Sequence, residues 1–305
     1  MLDRRLVEDI SFQLNADPAL VEKDWHVVRA LGVLATLDRN DIRPAFSGGT
    51  SLSIGWGLIK RFSEDVDFKV ALADAPSSTA ARNQRRDFRE AVLAAMTAAE
   101  FRLAGAPLIR NGSRFFSADF FYPSQFDTRR GLRPHLRMEM SFEPPKLDPI
   151  AHPIRSLVSR AQGRAPEIAA FACVDPVETA ADKLSALAWR VCCRERGSEH
   201  DDPSIIRHLH DLAALEQHAN AAPQFLTLLK ETALDDSGRG GGNAPRDPAE
   251  RFAKMLDLLA NDAQWAREYD EFVQNVSFAA AEELIPFAAA LQAVRRLLDR
   301  VRTMH

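Results

Sequence analysis

The chain has 305 residues, of which 46% are hydrophobic and 27% charged, with a formal net charge of −4. That balance belongs to a soluble globular protein with room for two domains of ordinary size or one large one, and it excludes a global positive field of the kind that marks a nucleic-acid-coating protein. The longest apolar runs are too short to span a bilayer, and the charged start MLDRRLVEDI has no signal-peptide core, so no membrane association and a cytoplasmic location are expected.

Residues 1–40 alternate apolar and polar side chains with a helical period, and Asp17-Pro18 marks a helix start ahead of Val21-Glu22-Lys23-Asp24-Trp25. Residues Pro44 to Ser47 form a short strand candidate, and Asp65 to Val70 a second. Residues Ser77 to Ala99 read as a long helix, capped by Ser78 or Thr79. Phe115 to Tyr122 and Leu136 to Phe142 read as strands bracketed by Pro and Gly. Beyond Pro176 the periodicity is helical over Val177 to Arg194, Ser204 to His218, Pro223 to Leu234, Pro248 to Ala260, Ala263 to Val276 and Pro286 to Val301. The Gly-rich stretch Asp235 to Asp247 reads as a flexible loop or linker. The expected architecture is α/β plus all-α: residues 1–175 as a mixed sheet with flanking helices, and residues 176–305 as a helical bundle domain.

Three cysteines, an odd count, are expected as free thiols in a reducing compartment. Cys192 and Cys193 are adjacent, lack zinc or redox spacing, and read as small hydrophobes on a helix. Arginines cluster at Arg82, Arg85, Arg86 and Arg89; at Arg129, Arg130, Arg133 and Arg137; and at Arg295, Arg296, Arg300 and Arg302. Each cluster is read either as a phosphate contact or as a solvated face.

The chemistry concentrates between Phe46 and Phe68, FSGGTSLSIGWGLIKRFSEDVDF. On a strand, Asp65 and Asp67 share one face while Val66 and Phe68 take the other. Two adjacent carboxylates call for a counter-charge, and Mg²⁺ is commonly held by one or two carboxylates together with substrate phosphates. The Gly48-Gly49 turn lets backbone approach a ligand, and a helix beginning there favours phosphate.

This stretch resembles the Gly-Gly/Ser and Asp-x-Asp/Glu signature of the polymerase-β-like nucleotidyltransferase superfamily. More narrowly, GGTSLS…RFSEDVDF resembles the AbiEii/AbiGii toxin family of bacterial abortive-infection and toxin–antitoxin systems. The Lys23-Asp24-Trp25 element extends the resemblance upstream. PVETAADKLSALAWR resembles the family's second motif, which makes Lys183 the triphosphate-binding lysine, with Glu178 and Asp182 on the same helix. IIRHLHDLAAL resembles the third, which makes Asp211 its functional acid, with Arg207 one turn earlier. The family pattern also asks for a third acid from a neighbouring strand. In LRMEMSF, Glu139 alternates with Leu136, Met138, Met140 and Phe142 and is the first choice; Asp119 in FFSADFF is the alternative.

The resemblance therefore implies Asp65, Asp67, Lys183 and Asp211 as catalytic, and Gly48, Gly49, Thr50, Ser63, Arg61 and Lys183 as nucleotide-binding. Asp65, Asp67 and Glu139 would hold Mg²⁺ or Mn²⁺. Thr50 and Ser63 are read as hydroxyl donors to phosphate or as helix caps, and Lys60 and Arg61 as offsets to the carboxylates or as contacts to incoming phosphate. His208 and His210, two apart on a helix, are read as structural. The implied reaction transfers a nucleoside monophosphate from an NTP to an RNA acceptor, the 3′ end of tRNA, with a cognate antitoxin encoded alongside. A transferase acting on a small molecule, as in the aminoglycoside-modifying branch, and a catalytically silent nucleotide-binding interaction protein stand as alternatives. The helical domain is expected to close the active-site cleft, and substitution of Asp65 or Lys183 by Ala to leave stability nearly unchanged.

Overall fold

The computed structural model describes residues 2–37, 42–127, 132–199, 201–238 and 244–302. The chain separates into two compact units, Met1–Val174 and Asp175–His305.

The first unit opens with two helices, α1 (Arg4–Leu14) and α2 (Pro18–Thr36). Asn15 divides them by adopting left-handed backbone at φ 48°, and the Asp17 carboxylate caps α2 by accepting the Ala19 N–H. The asparagine stop ends α1 just before the helix start expected at Asp17-Pro18, where α2 begins. Strand β1 (Arg43–Ser47) follows, then a helical turn α3 (Gly48–Thr50) that widens at once into a π-helical turn, Ser51–Gly55. The helix expected after the glycine pair is thus short and irregular. Strand β2 (Asp65–Ala71) leads to α4 (Ser78–Ala98), whose cap is Ser77 rather than Ser78 or Thr79: the Ser77 hydroxyl accepts the Ala80 N–H.

The remaining elements of this unit are β3 (Arg102–Leu103), β4 (Leu108–Arg110), β5 (Phe115–Phe121), β6 (Leu136–Ser141), β7 (Ile150–Ile154), α5 (Leu157–Ala161) and β8 (Ile168–Cys173). Among the described residues the strands form one mixed sheet in the order β3-β5-β6-β2-β1-β8-β7, with β4 paired to β5. Strand β2 runs antiparallel to β1 and parallel to β6. Val66, Phe68 and Val70 of β2, Met138 and Met140 of β6 and Phe116 and Phe120 of β5 are buried in one core with Val27, Leu31 and Leu34 of α2 and Phe88, Val92 and Met96 of α4. Their alternation with polar residues leaves the opposite face of the three central strands for Asp65, Asp67, Glu139, Ser117, Arg137 and Asp119.

The second unit is helical: α6 (Pro176–Cys193), α7 (Arg207–Ala221), α8 (Phe225–Ser237), α9 (Pro248–Asn261), α10 (Gln264–Val276) and α11 (Phe287–Arg302). A single 3₁₀ turn, Pro203–Ile206, precedes α7, and Asp175 caps α6 by accepting the Val177 N–H at 2.7 Å. Helix α6 is central and packs against α7, α8 and α9. Most of its side chains are buried, Ala180, Leu184, Leu187 and Ala188 among them.

The stretch expected as a loop from Asp235 to Asp247 begins later than the glycines suggest. Helix α8 continues to Ser237, because buried Asp236 accepts a hydrogen bond from the Ser185 hydroxyl at 2.5 Å. Residues 239–243 lie outside the described residues. Cys173 and Cys192 are buried free thiols, each pushed up to about 11 chiefly by desolvation, as small core side chains should be. No helix of the described residues is long and apolar enough to cross a membrane.

Candidate active site

Register places the acids. Asp67 pairs with Ser47 of β1 on one side and with Glu139 of β6 on the other, while Asp65 pairs with Arg137. Asp65, Asp67 and Glu139 therefore share the polar face of adjacent strands. The Glu139 carboxyl is held above the usual carboxylate range, first by burial and then by the charge of Asp65. Its contact with the Ser117 hydroxyl, 3.4 Å, is long.

The glycine pair sits directly over these acids. Gly48 has φ +72°, and a β-carbon there would lie 2.9 Å from Cγ of Asp67 and closer still to its Oδ2. Gly49 is packed against another group: a β-carbon there would lie 2.5 Å from Nη2 of Arg61 and 3.1 Å from the Ser63 hydroxyl. Arg61 is buried and donates to the Phe62 carbonyl at 2.9 Å, while its own carbonyl accepts from the Ser53 hydroxyl. Thr50 caps no helix; its hydroxyl donates to the Asp65 carbonyl and so ties the glycine turn to the start of β2. Gly48, Gly49, Thr50, Arg61 and Ser63 thus assemble around the Asp65–Asp67 segment.

Two basic residues brace this segment that motif reading did not assign to it. Arg133 Nη2 lies 2.9 Å from Asp65 Oδ1. Lys23, of the Lys-Asp-Trp element, is buried; its ammonium lies 2.5 Å from Glu64 Oε2 and donates to the Arg133 carbonyl at 2.8 Å. Glu64 in turn accepts the Arg133 N–H at 2.9 Å. The network fixes the residue before Asp65 and aims a guanidinium at its carboxylate. Arg129 and Arg130, of the same arginine cluster, lie outside the described residues.

Asp119, the alternative third acid, is otherwise engaged. Arg137 grips it with two hydrogen bonds of 2.8 and 2.9 Å, and His135 Nε2 is 3.2 Å from its Oδ2. These contacts, Arg137 foremost, hold the Asp119 carboxyl below its ordinary value.

Among the described residues no three or more His, Cys, Asp or Glu side chains converge as a ready cation cage. The fit to a divalent cation rests instead on Asp65 and Asp67, two carboxylates on one face with a third, Glu139, opposite Asp67 on the neighbouring strand. Such a set suits Mg²⁺ or Mn²⁺ completed by substrate phosphate oxygens.

In the second unit, α6 and α7 bring the other two motif residues together. Lys183 Nζ is 2.8 Å from Asp211 Oδ2, and both side chains are buried, Asp211 completely. Lys183 is therefore not an ordinary surface lysine. Nδ1 of His210 lies 3.4 Å from the other Asp211 oxygen, and its ring packs near Tyr269 and Phe272. His208 is buried beside Lys183, Arg207 and Arg190, and burial followed by those charges pushes its pKa well below the ordinary value. The two histidines point to different surroundings, as their spacing on a helix requires.

A family model described as the nucleotidyl transferase AbiEii toxin of type IV toxin–antitoxin systems matches residues 32–299. Among solved structures, the chain is similar to MenT4, a nucleotidyltransferase toxin from Mycobacterium tuberculosis H37Rv, at a TM-score of 0.53 and 17% sequence identity. That similarity covers 97% of this chain and 99% of the other, and at such identity it establishes a shared fold. No curated protein sequence matches the chain. The family match takes in the glycine turn, both strand aspartates, Glu139, Lys183 and Asp211: the chain belongs to the AbiEii nucleotidyl transferase toxin family of type IV toxin–antitoxin systems.

Proposed function

We propose that this nucleotidyltransferase toxin moves a nucleoside monophosphate from an NTP to a hydroxyl of an RNA acceptor, the 3′ end of tRNA, with Mg²⁺ or Mn²⁺ as cofactor. The observation that carries the reading is the register of Asp65, Asp67 and Glu139 on one face, with the Gly48 backbone against Asp67. When bound, the cation neutralises phosphate charge and polarises the oxygens that exchange at phosphorus.

The residues of this chain do the rest. Asp65 and Asp67 hold the cation, and Glu139 supports it from the neighbouring strand. Gly48 and Gly49 give the triphosphate room to approach, since neither position accommodates a side chain. Arg133 neutralises Asp65 before substrate arrives. Arg61, Thr50 and Ser63 set the shape of the glycine turn. Lys183 supplies a point charge for the triphosphate and Asp211 holds it in place. Phosphoryl-type transfer asks for positioning and charge neutralisation more than covalent chemistry, so these groups suffice in kind. The reading further includes a cytoplasmic site of action, a cognate antitoxin encoded alongside, and residues 1–175 as the nucleotidyltransferase-like domain with 176–305 as its helical partner.

The test in cells is growth. Expression without the antitoxin should arrest growth, and Asp65→Ala should relieve the arrest at equal protein level. Arrest that persists in Asp65→Ala would remove nucleotidyl transfer as its cause. No arrest, together with transfer to a small cationic acceptor in vitro, would favour the small-molecule transferase instead.

A further inference from the structure

Helix α4 carries Arg82, Arg85 and Arg89 at spacings of three and four, which places them along one face. Arg89 is buried and donates to the Ser113 carbonyl at 3.5 Å, which ties that face to the 3₁₀ turn Asn111–Ser113 ahead of β5. Arg114 follows that turn and adds a fourth guanidinium. The charges of Arg114 and Arg82 act directly on Arg85, and that of Arg85 on Arg89; burial and this mutual repulsion lower the pKa of both Arg85 and Arg89.

Nearby acids relieve the repulsion only in part: the charge of Glu90 acts favourably on Arg89, and no acid does so for Arg85. Arg86, one turn from both Arg82 and Arg89 and on the same face, lies 2.9 Å from Asp87 and 4.0 Å from Glu90. Among the described residues no carboxylate pairs with Arg82, Arg85 or Arg114, and Nε of Arg85 is buried without a hydrogen-bond partner. Like charges gathered without a counter-ion cost stability, so the cluster calls for an anion to complete it. In a chain of net charge −4 this is a local concentration of positive charge against the overall sign.

Its position says which anion. Ser117 stands opposite Glu139, and Glu139 opposite Asp67. Arg114 is three residues before Ser117, about 10 Å along the strand, and two strand spacings, again about 10 Å, across the sheet from Asp67. Helix α4 packs through Phe88, Val92 and Met96 on the sheet face opposite Asp65 and Asp67, so a nucleotide bound at those acids does not reach its arginines, whereas a polynucleotide backbone passing the end of β5 at Arg114 does.

We propose that Arg82, Arg85, Arg89 and Arg114 form a binding surface for the phosphodiester backbone of the acceptor RNA, separate from the nucleotide site. The proposal rests on the reading that the acceptor is RNA. Arg89, buried and tethered, shapes the surface; Arg82, Arg85 and Arg114 make the contacts. The surface reads charge and not sequence, so its affinity depends steeply on salt.

The test is anisotropy of fluorescently labelled total tRNA titrated with the wild-type chain and with the triple variant Arg82→Gln, Arg85→Gln, Arg114→Gln. The triple variant should bind at least about 10-fold more weakly at low salt, with a log K against log salt slope shallower by about 2. Its KM for tRNA should rise with kcat unchanged, and its NTP-induced thermal shift should match wild type. Should the triple variant not fold, Arg114→Gln alone, at an exposed position, should flatten the slope by about 0.8. Unchanged affinity and slope in the variants would overturn the proposal, as would a wild-type chain that does not bind tRNA. A wild-type chain that binds tRNA through these arginines but places no label on it would uphold the surface and sink the tRNA-acceptor reading, so the two failures are distinct.

Discussion

Gly48 and Asp67 cannot both stay where they are if Gly48 gains a side chain: a β-carbon on Gly48 would meet both Oδ2 and Cγ of the Asp67 carboxylate. The left-handed backbone at φ +72° adds strain of its own for any other residue. Gly48→Ala is therefore expected to cost at least about 100-fold in nucleotidyl transfer, because it displaces a carboxylate that must be placed to within an ångström. Gly32, in the middle of α2 with nothing within 4 Å of a β-carbon, is the control. Gly32→Ala should raise stability by about 0.5–1 kcal/mol and leave activity alone. Near-normal transfer by Gly48→Ala would mean that the turn does not touch the reacting groups.

Arg133 and a cation compete for one carboxylate. With Arg133 Nη2 2.9 Å from Asp65, the guanidinium does in the free protein what a divalent ion would do in the loaded one. Arg133→Ala should lower the Tm in the presence of EDTA, because Asp65 loses its counter-charge. The rise in Tm on adding Mg²⁺ should be larger in the variant than in wild type, by the linkage of metal binding to stability. An identical Mg²⁺-dependent rise in both proteins would show that Asp65 is not where the cation binds.

Lys183 cannot be removed without consequence, contrary to what its motif position alone suggests. Its partner Asp211 is fully buried, and Lys183→Ala takes away the ammonium 2.8 Å from that carboxylate. Breaking a buried pair by removing one partner costs about 3–5 kcal/mol, far more than a surface lysine would. The variant should unfold at clearly lower urea concentration, and adding Asp211→Asn should recover part of the loss. Additive losses in the double variant would contradict direct pairing. Loss of toxicity in Lys183→Ala therefore needs a stability measurement beside it, whereas Asp65, 13% exposed at the side chain and on a polar sheet face, carries no such burden.

Asp24 supplies a pH signature. Burial raises its carboxyl to about 7, against the hydrogen bond it accepts from the Leu157 N–H at 2.7 Å. A carboxyl raised in the folded state contributes its stability below its unfolded value of about 4 and loses it as pH climbs through about 7. Asp24→Asn stays neutral at every pH, so its Tm relative to wild type should rise between pH 5 and pH 8. A Tm difference that does not change with pH would mean Asp24 is ionised throughout.

The acids of the site could be read locally because strand alternation is a local pattern: Val66 and Phe68 against Asp65 and Asp67, Met138 and Met140 against Glu139. The strands Ile150–Ile154 and Ile168–Cys173 gave no such pattern. The first contains Pro153 at the edge of the sheet, next to a register shift, and the second sets alanines at exposed and half-exposed positions. The braces on Asp65 were illegible for another reason. Lys23 meets Glu64 across 41 residues, and Arg133 meets Asp65 because β6 lies parallel to β2. Strand order decides those pairings, and no window of sequence contains it. Likewise the buried Ser185–Asp236 hydrogen bond extends α8 into a stretch whose glycines read as loop.

The most direct measurement incubates the purified chain with total tRNA, Mg²⁺ and each radiolabelled NTP in turn, with Asp65→Ala in parallel. The expected result is label on tRNA from the wild-type chain with at least one NTP, and a loss of more than about 100-fold in Asp65→Ala at unchanged Tm. Label transferred equally by Asp65→Ala would contradict the placement of the reaction at the Asp65–Asp67 face.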